Sequence, residues 1–164
     1  MEENLHLTLA ADIGRLLNDR HATLATAESC TGGYIAHCIT GVAGSSAYFL
    51  GGVVSYANSV KVGMLDVKAD VLARGGAVSQ TVVEAMAVGA CRRLGSDYAV
   101  ATSGVAGPGG GSAEKPVGMV WMAVAGPDGL CVSRCCRFDS ARSRAGIIRD
   151  AAYEALLLLK SQLA

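Results

Sequence analysis

The sequence predicts an α/β domain: a mixed, mostly parallel five-stranded sheet with helices on both faces. Two patterns carry this. Five short apolar runs alternate with at least four segments of helical periodicity. The last two runs are joined by Gly126-Pro127-Asp128-Gly129, a hairpin turn that makes one pairing antiparallel. At 164 residues and 51% apolar content the chain fits a single domain able to bury a real core, and no interior linker or repeat divides it.

In chain order, Leu5, Leu9, Ile13, Leu16 and Leu17 give residues 5–20 a helical stripe. Residues 22–27 read as a buried strand that ends in Glu28-Ser29-Cys30-Thr31-Gly32-Gly33, and a helix pattern resumes over 34–39. After a loop at 41–46, residues 48–56 form a second strand, weakened by Gly51 and Gly52. Asn58 is placed to cap a short helix carrying Lys61, and another short helix falls near 68–74. Ser79 suits the N-cap of a longer helix with Val82, Val83, Met86, Ala90 and Leu94 inward. Residues 97–103 form a third strand, running into the glycine-dense loop 104–111. Strands at 117–125 and 130–138 follow, then a last helix over about 141–163.

Fourteen basic residues balance fourteen acidic ones, and no basic stretch could track a nucleic-acid backbone. No run approaches a membrane span, and the acidic N-terminus lacks a signal-peptide pattern. Six cysteines occur without C-x-x-C or zinc-site spacing. These features give the expectation of a reduced, cytoplasmic protein with no membrane or nucleic-acid partner.

Ligands of open α/β sheets gather at the carboxyl ends of strands, and three polar, glycine-bearing segments fall there: 28–33, 56–61 and 103–111. A serine between a buried strand and a helix start is well placed for a nucleophile. The backbone N–H groups of that turn can receive an oxyanion, and Gly32 and Gly33 permit close approach. The competing reading is that Ser29 or Thr31 merely caps the helix. Cys30 is an alternative nucleophile but has no evident activating histidine. Lys61 is either a general base, which requires a lowered pKa, or a solvated surface lysine. Tyr56 is a packing ring or a proton relay. Ser103 is placed to donate a hydrogen bond into the cleft, and the loop after it lines a substrate wall or forms a mobile lid. Arg142, Arg144 and Arg149 cluster where a helix dipole disfavours cations, which points to phosphate binding or to a solvated basic face.

Taken together, AESCTGG (27–33), SYANSVK (55–61), TSGVAGPGGG (102–111), KPVGMVW (115–121) and an arginine after Phe138 resemble the CinA C-terminal domain family over roughly residues 5–163. That family includes stand-alone nicotinamide-nucleotide amidases. The resemblance implies a three-layer α/β/α fold, no metal and no cofactor, and a homodimer or higher homo-oligomer. It also implies hydrolysis of nicotinamide mononucleotide to nicotinic acid mononucleotide and ammonia, within pyridine-nucleotide salvage. Carried over by motif, Ser29 is the nucleophile, Lys61 the base and Tyr56 its assistant. Cys30, Thr31, Gly32, Gly33, Asn58, Ser103, Gly104, Gly107 and Arg142 then line the substrate. The arginine segment departs from the family pattern: Ser140 stands where a glycine is usual, Gly146 where a second arginine is expected, and Arg144 and Arg149 fall out of register. Two other readings remain at this level: a non-catalytic module that binds a nucleotide or docks onto a partner in DNA uptake or repair, and an amidase for another small amide.

Overall fold

In a computed structural model, which describes residues 2–164 and side chains from Asn4 onward, the chain forms three layers. The elements are α1 (Glu2–Asp19), β1 (Leu24–Glu28), α2 (Tyr34–Thr40), β2 (Phe49–Val54), α3 (Asn58–Leu65), α4 (Ala69–Gly75), α5 (Gln80–Leu94), β3 (Tyr98–Gly104), β4 (Met119–Ala125), β5 (Cys131–Arg137) and α6 (Arg144–Leu163). The sheet order is β2-β1-β3-β4-β5. β1 pairs in parallel with β2 and β3, and β4 runs antiparallel to both β3 and β5. The α/β class and mixed five-stranded sheet predicted from the sequence are present.

Side-chain size explains the two unlike faces. Ala25, Ala27, Ala99, Ala101, Ala123 and Ala125 pave one face, opposite one another in the register of β1, β3 and β4. These small residues let α5 lie close, and its Val82, Val83 and Met86 fill the space with no exposed surface. Leu24, Val100, Val120, Met122 and Val124 cover the other face and pack against Ile13 and Leu17 of α1 and Ile147, Leu156 and Leu159 of α6. Each such aliphatic chain, fully buried, contributes about 1.5–3 kcal/mol.

Several boundaries differ from the sequence reading for local reasons. Gly51 and Gly52 do not break β2; Gly52 lies where an added Cβ would stand 2.1 Å from Thr26 Oγ1, so its lack of a side chain admits the neighbouring strand. Asn58 is not a cap but the first residue of α3, behind the extended Ala57. Ser79 does cap α5, accepting from the Val82 N–H. The last helix begins at Arg144 rather than 141, because Ser143 caps it through the Gly146 N–H. Among the described residues no helix is long and apolar enough to cross a membrane.

The register also sets the site. Glu28 lies opposite both Val54 and Thr102, so β1, β2 and β3 release their chains at one end of the sheet.

Candidate active site

After Glu28 the chain leaves the sheet gradually. The Ser29 N–H still donates to Thr102 O at 3.0 Å; the chain then turns, with Gly32 N–H donating to Ser29 O at 3.1 Å. Gly33, at φ 101°, precedes α2 in a conformation that strains any side chain. The helix start is not capped by Ser29 or by Thr31. It is filled by the Glu28 carboxylate, which accepts from the N–H groups of Gly33, Ile35 and Ala36 at 3.1, 3.0 and 2.9 Å. Of the turn expected to receive an oxyanion, the Gly32 and Gly33 N–H groups are therefore engaged. Among the described residues, those of Cys30 and Thr31 donate to no protein acceptor.

Lys61 enters from α3. Gly89 of α5 brings that helix close, since a Cβ there would stand 1.9 Å from Leu65 O. The lysine is only 1% exposed, and its Nζ contacts Ser29 Oγ at 3.1 Å, Ser55 O at 2.6 Å and Tyr56 O at 3.2 Å. Burial disfavours the ammonium and pushes its pKa below the ordinary lysine value. A neutral amine has two N–H donors and one lone pair. The two carbonyls can only accept: an ammonium donates to them and to Ser29 Oγ alike, whereas the neutral form gives both its donors to the carbonyls and turns its lone pair to the Ser29 hydroxyl. The solvated-surface reading of Lys61 does not hold.

Tyr56 approaches Lys61 through its backbone carbonyl, whereas the residue as a whole is 57% exposed and its hydroxyl accepts from Arg144 Nη2 at 2.8 Å. Arg144 Nη1 also donates to Gly107 O at 2.6 Å, so this guanidinium bridges the segment before α3 and the glycine loop. A cavity of about 290 Å3 lies between them, lined by Ser29, Cys30, Tyr56, Val78, Gly104, Val105, Ala106, Gly107, Gly109, Gly110 and Arg144. Lys61 is outside this lining and reaches it through its contact with Ser29; hollows beside Tyr48 and beside His6 and His37 do not include Ser29.

The expected site residues thus separate. Ser29, Lys61, Tyr56, Cys30, Gly104 and Gly107 converge on one place. Thr31 is buried and bonded to Glu28 and Thr102, outside the cavity lining, as are Gly32 and Gly33. Asn58 is exposed and does not line the cavity. The Ser103 hydroxyl donates to Ala77 O at 2.8 Å and so braces the cavity wall instead of pointing a donor into it. Arg142 lies before α6 and ion-pairs with Asp150 at 2.6 Å, while Arg144 occupies the cavity. Cys30 lines the cavity, but burial pushes its thiol up to about 12, which removes the thiolate a cysteine nucleophile needs. Sequence reasoning missed Val78, which as a single apolar residue before the Ser79 cap carries no chemical signal. It also missed the carboxylate of Glu28, although an acid just ahead of a helix start was a readable one. Among the described residues no three His, Cys, Asp or Glu side chains could together hold a metal ion.

The fold and site define a class: a three-layer α/β/α domain with a buried serine–lysine pair at the carboxyl end of its parallel strands. The chain belongs to the CinA C-terminal domain family, whose model matches residues 6–163. A CinA-like protein of Parasynechococcus marenigrum (strain WH8102) is 50% identical over 156 residues, and one from Thermosynechococcus vestitus is 47% identical. Each alignment covers 95% of this chain but only 37% and 38% of the relative, so the chain spans little over a third of these proteins. The crystal structure of a competence/damage inducible protein, CihA, from Agrobacterium tumefaciens superposes with a TM-score of 0.93 at 40% identity, covering 96% of this chain and 94% of that one. A CinA superfamily protein from Klebsiella pneumoniae gives 0.91 at 34%, covering 96% and 97%.

Proposed function

We propose that this domain is a cytoplasmic amidohydrolase that converts nicotinamide mononucleotide to nicotinic acid mononucleotide and ammonia, as the family resemblance implies. The observation that carries the reading is the 3.1 Å contact between Lys61 Nζ and Ser29 Oγ, with two carbonyls holding the rest of the amine. Neutral Lys61 takes the Ser29 proton as Oγ attacks the carboxamide carbon. The N–H groups of Cys30 and Thr31 receive the developing oxyanion, a type of contact worth about 3–4 kcal/mol per donor. The Lys61 ammonium returns its proton to the leaving nitrogen, and ammonia departs. Water then attacks the acyl-enzyme and loses its proton to Lys61, which passes it to Ser29 Oγ as the acyl C–O bond breaks and the nucleotide acid is released. Arg144 exchanges its Tyr56 and Gly107 contacts for the substrate phosphate, a match for a planar guanidinium.

The lysine is the argument against a purely binding module, which has no reason to bury an amine beside a hydroxyl. The phosphate rests on Arg144 alone, so the substrate is tested separately from the reaction. Purified protein is offered nicotinamide mononucleotide, nicotinamide and nicotinamide riboside, and ammonia is measured. Release from the mononucleotide only supports the reading. Equal release from all three replaces it with an amidase indifferent to phosphate, and no release favours the binding module.

A further inference from the structure

Glu28 is an ionisable side chain with 1% exposure, one residue from the nucleophile, and the chemistry described above makes no use of it. Its four donors are all neutral: three backbone N–H groups of Gly33, Ile35 and Ala36, and the Thr31 hydroxyl at 2.6 Å. Thr31 has a single hydroxyl proton and gives it to the carboxylate, so the 2.7 Å contact with Thr102 is donated by Thr102. A chain of hydrogen bonds therefore runs from β3 through Thr102 and Thr31 to Glu28 and into the first turn of α2. The Glu28 carbonyl meanwhile accepts from the Ser55 N–H at 2.8 Å, and the Ser55 carbonyl holds Lys61 Nζ.

One residue thus fastens both halves of the reacting pair: its side chain holds the turn after Ser29, and its backbone holds the segment that orients Lys61. We propose that Glu28 is a positioning residue, whose buried carboxylate keeps the 29–33 turn in the geometry that sets Ser29 Oγ against Lys61 and leaves the Cys30 and Thr31 N–H groups unbonded. Two features favour this over simple helix capping. A Ser, Thr or Asn near Gly33 would cap a seven-residue helix without burying a carboxylate. The bonds also reach beyond the helix, to Thr31 in the turn and Thr102 in β3.

The inference rests on Ser29 being the nucleophile, not on the identity of the substrate, so its test uses a probe that needs no substrate recognition. A fluorophosphonate reacts with an activated serine: Oγ forms a bond to phosphorus, fluoride leaves, and the serine proton passes to Lys61. Labelling rates at Ser29 are compared for wild type, Glu28→Gln and Thr31→Val, each corrected for the folded fraction by near-ultraviolet circular dichroism. Glu28→Gln keeps the shape but sets an amide donor among N–H donors; Thr31→Val is nearly isosteric and removes one bond, so it remains informative should the first variant fold poorly. The expected result is a labelling rate lowered about tenfold or more in Glu28→Gln, and by a smaller factor in Thr31→Val, per folded molecule. Variants that lose only melting temperature and label at the wild-type rate would overturn the positioning role alone. A wild-type protein inert at Ser29 would overturn the nucleophile reading and this inference with it.

Discussion

Lys61 Nζ stands 3.1 Å from Ser29 Oγ, and its two other contacts are the carbonyls of Ser55 and Tyr56. Acceptors on two sides and a hydroxyl on the third suit an amine that donates two hydrogen bonds and accepts one. The proposed base is thus built from burial and two backbone carbonyls, without a histidine. Its cost is an amine kept from water, and that cost has a measurable pH signature.

The folded state disfavours protonated Lys61, so its pKa lies below the ordinary 10.5 while the unfolded chain keeps that value. Between the two, the unfolded state binds more protons, and stability rises with pH by up to about 1.4 kcal/mol per unit from this group. Denaturant titrations across that window should show wild type gaining on Lys61→Met as pH increases. Parallel curves contradict a depressed lysine. Turnover should fall on the acid side as Lys61 protonates, with the limb below the ordinary lysine value.

Arg144 and Arg142 should behave oppositely. Arg144→Ala removes the guanidinium that lines the cavity and should raise KM for a phosphorylated substrate about tenfold or more, with kcat changed less. Arg142→Ala breaks a half-exposed pair with Asp150, which is worth about 0–1 kcal/mol of stability, and leaves KM near wild type. Steady-state kinetics on the two variants separate the roles; a KM effect confined to Arg142 overturns the assignment.

Cys30→Ala should retain turnover within about threefold while losing about 1 kcal/mol of stability from its buried position. Loss of activity with the fold intact would return Cys30 to the catalytic group.

Gly89→Ala places a methyl against Leu65 O and should shift α3. A stability loss of about 1–3 kcal/mol by denaturant titration is expected, together with reduced turnover because Lys61 rides on that helix. A neutral substitution would show that the close approach of α3 and α5 is not needed.

What the sequence revealed follows from what each signal measures. Periodicity and breakers placed β1, its turn and α2, and the Gly126–Gly129 hairpin emerges between β4 and β5 as read. The Ser79 cap was legible because its hydroxyl bonds locally to Val82. Arg142 and Arg144 differ by two positions, and which one enters the cavity depends on where α6 begins; the Ser143 cap shifts that start by three residues from the periodic estimate. Tyr56 was read for its hydroxyl, yet its carbonyl holds the lysine, and no pattern of side chains encodes a backbone contact. Ser103 was placed at the right strand end, but its rotamer answers to Ala77 from a segment 26 residues away.

In the proposed reaction Ser29, activated by Lys61, breaks an amide bond. The direct measurement is ammonia release from nicotinamide mononucleotide by wild type, Ser29→Ala and Lys61→Ala at matched folded concentration. Turnover in wild type that falls at least about 10³-fold in both variants, with no further loss when they are combined, is the predicted result, because the two residues act as a unit. Turnover retained in Ser29→Ala would contradict the account.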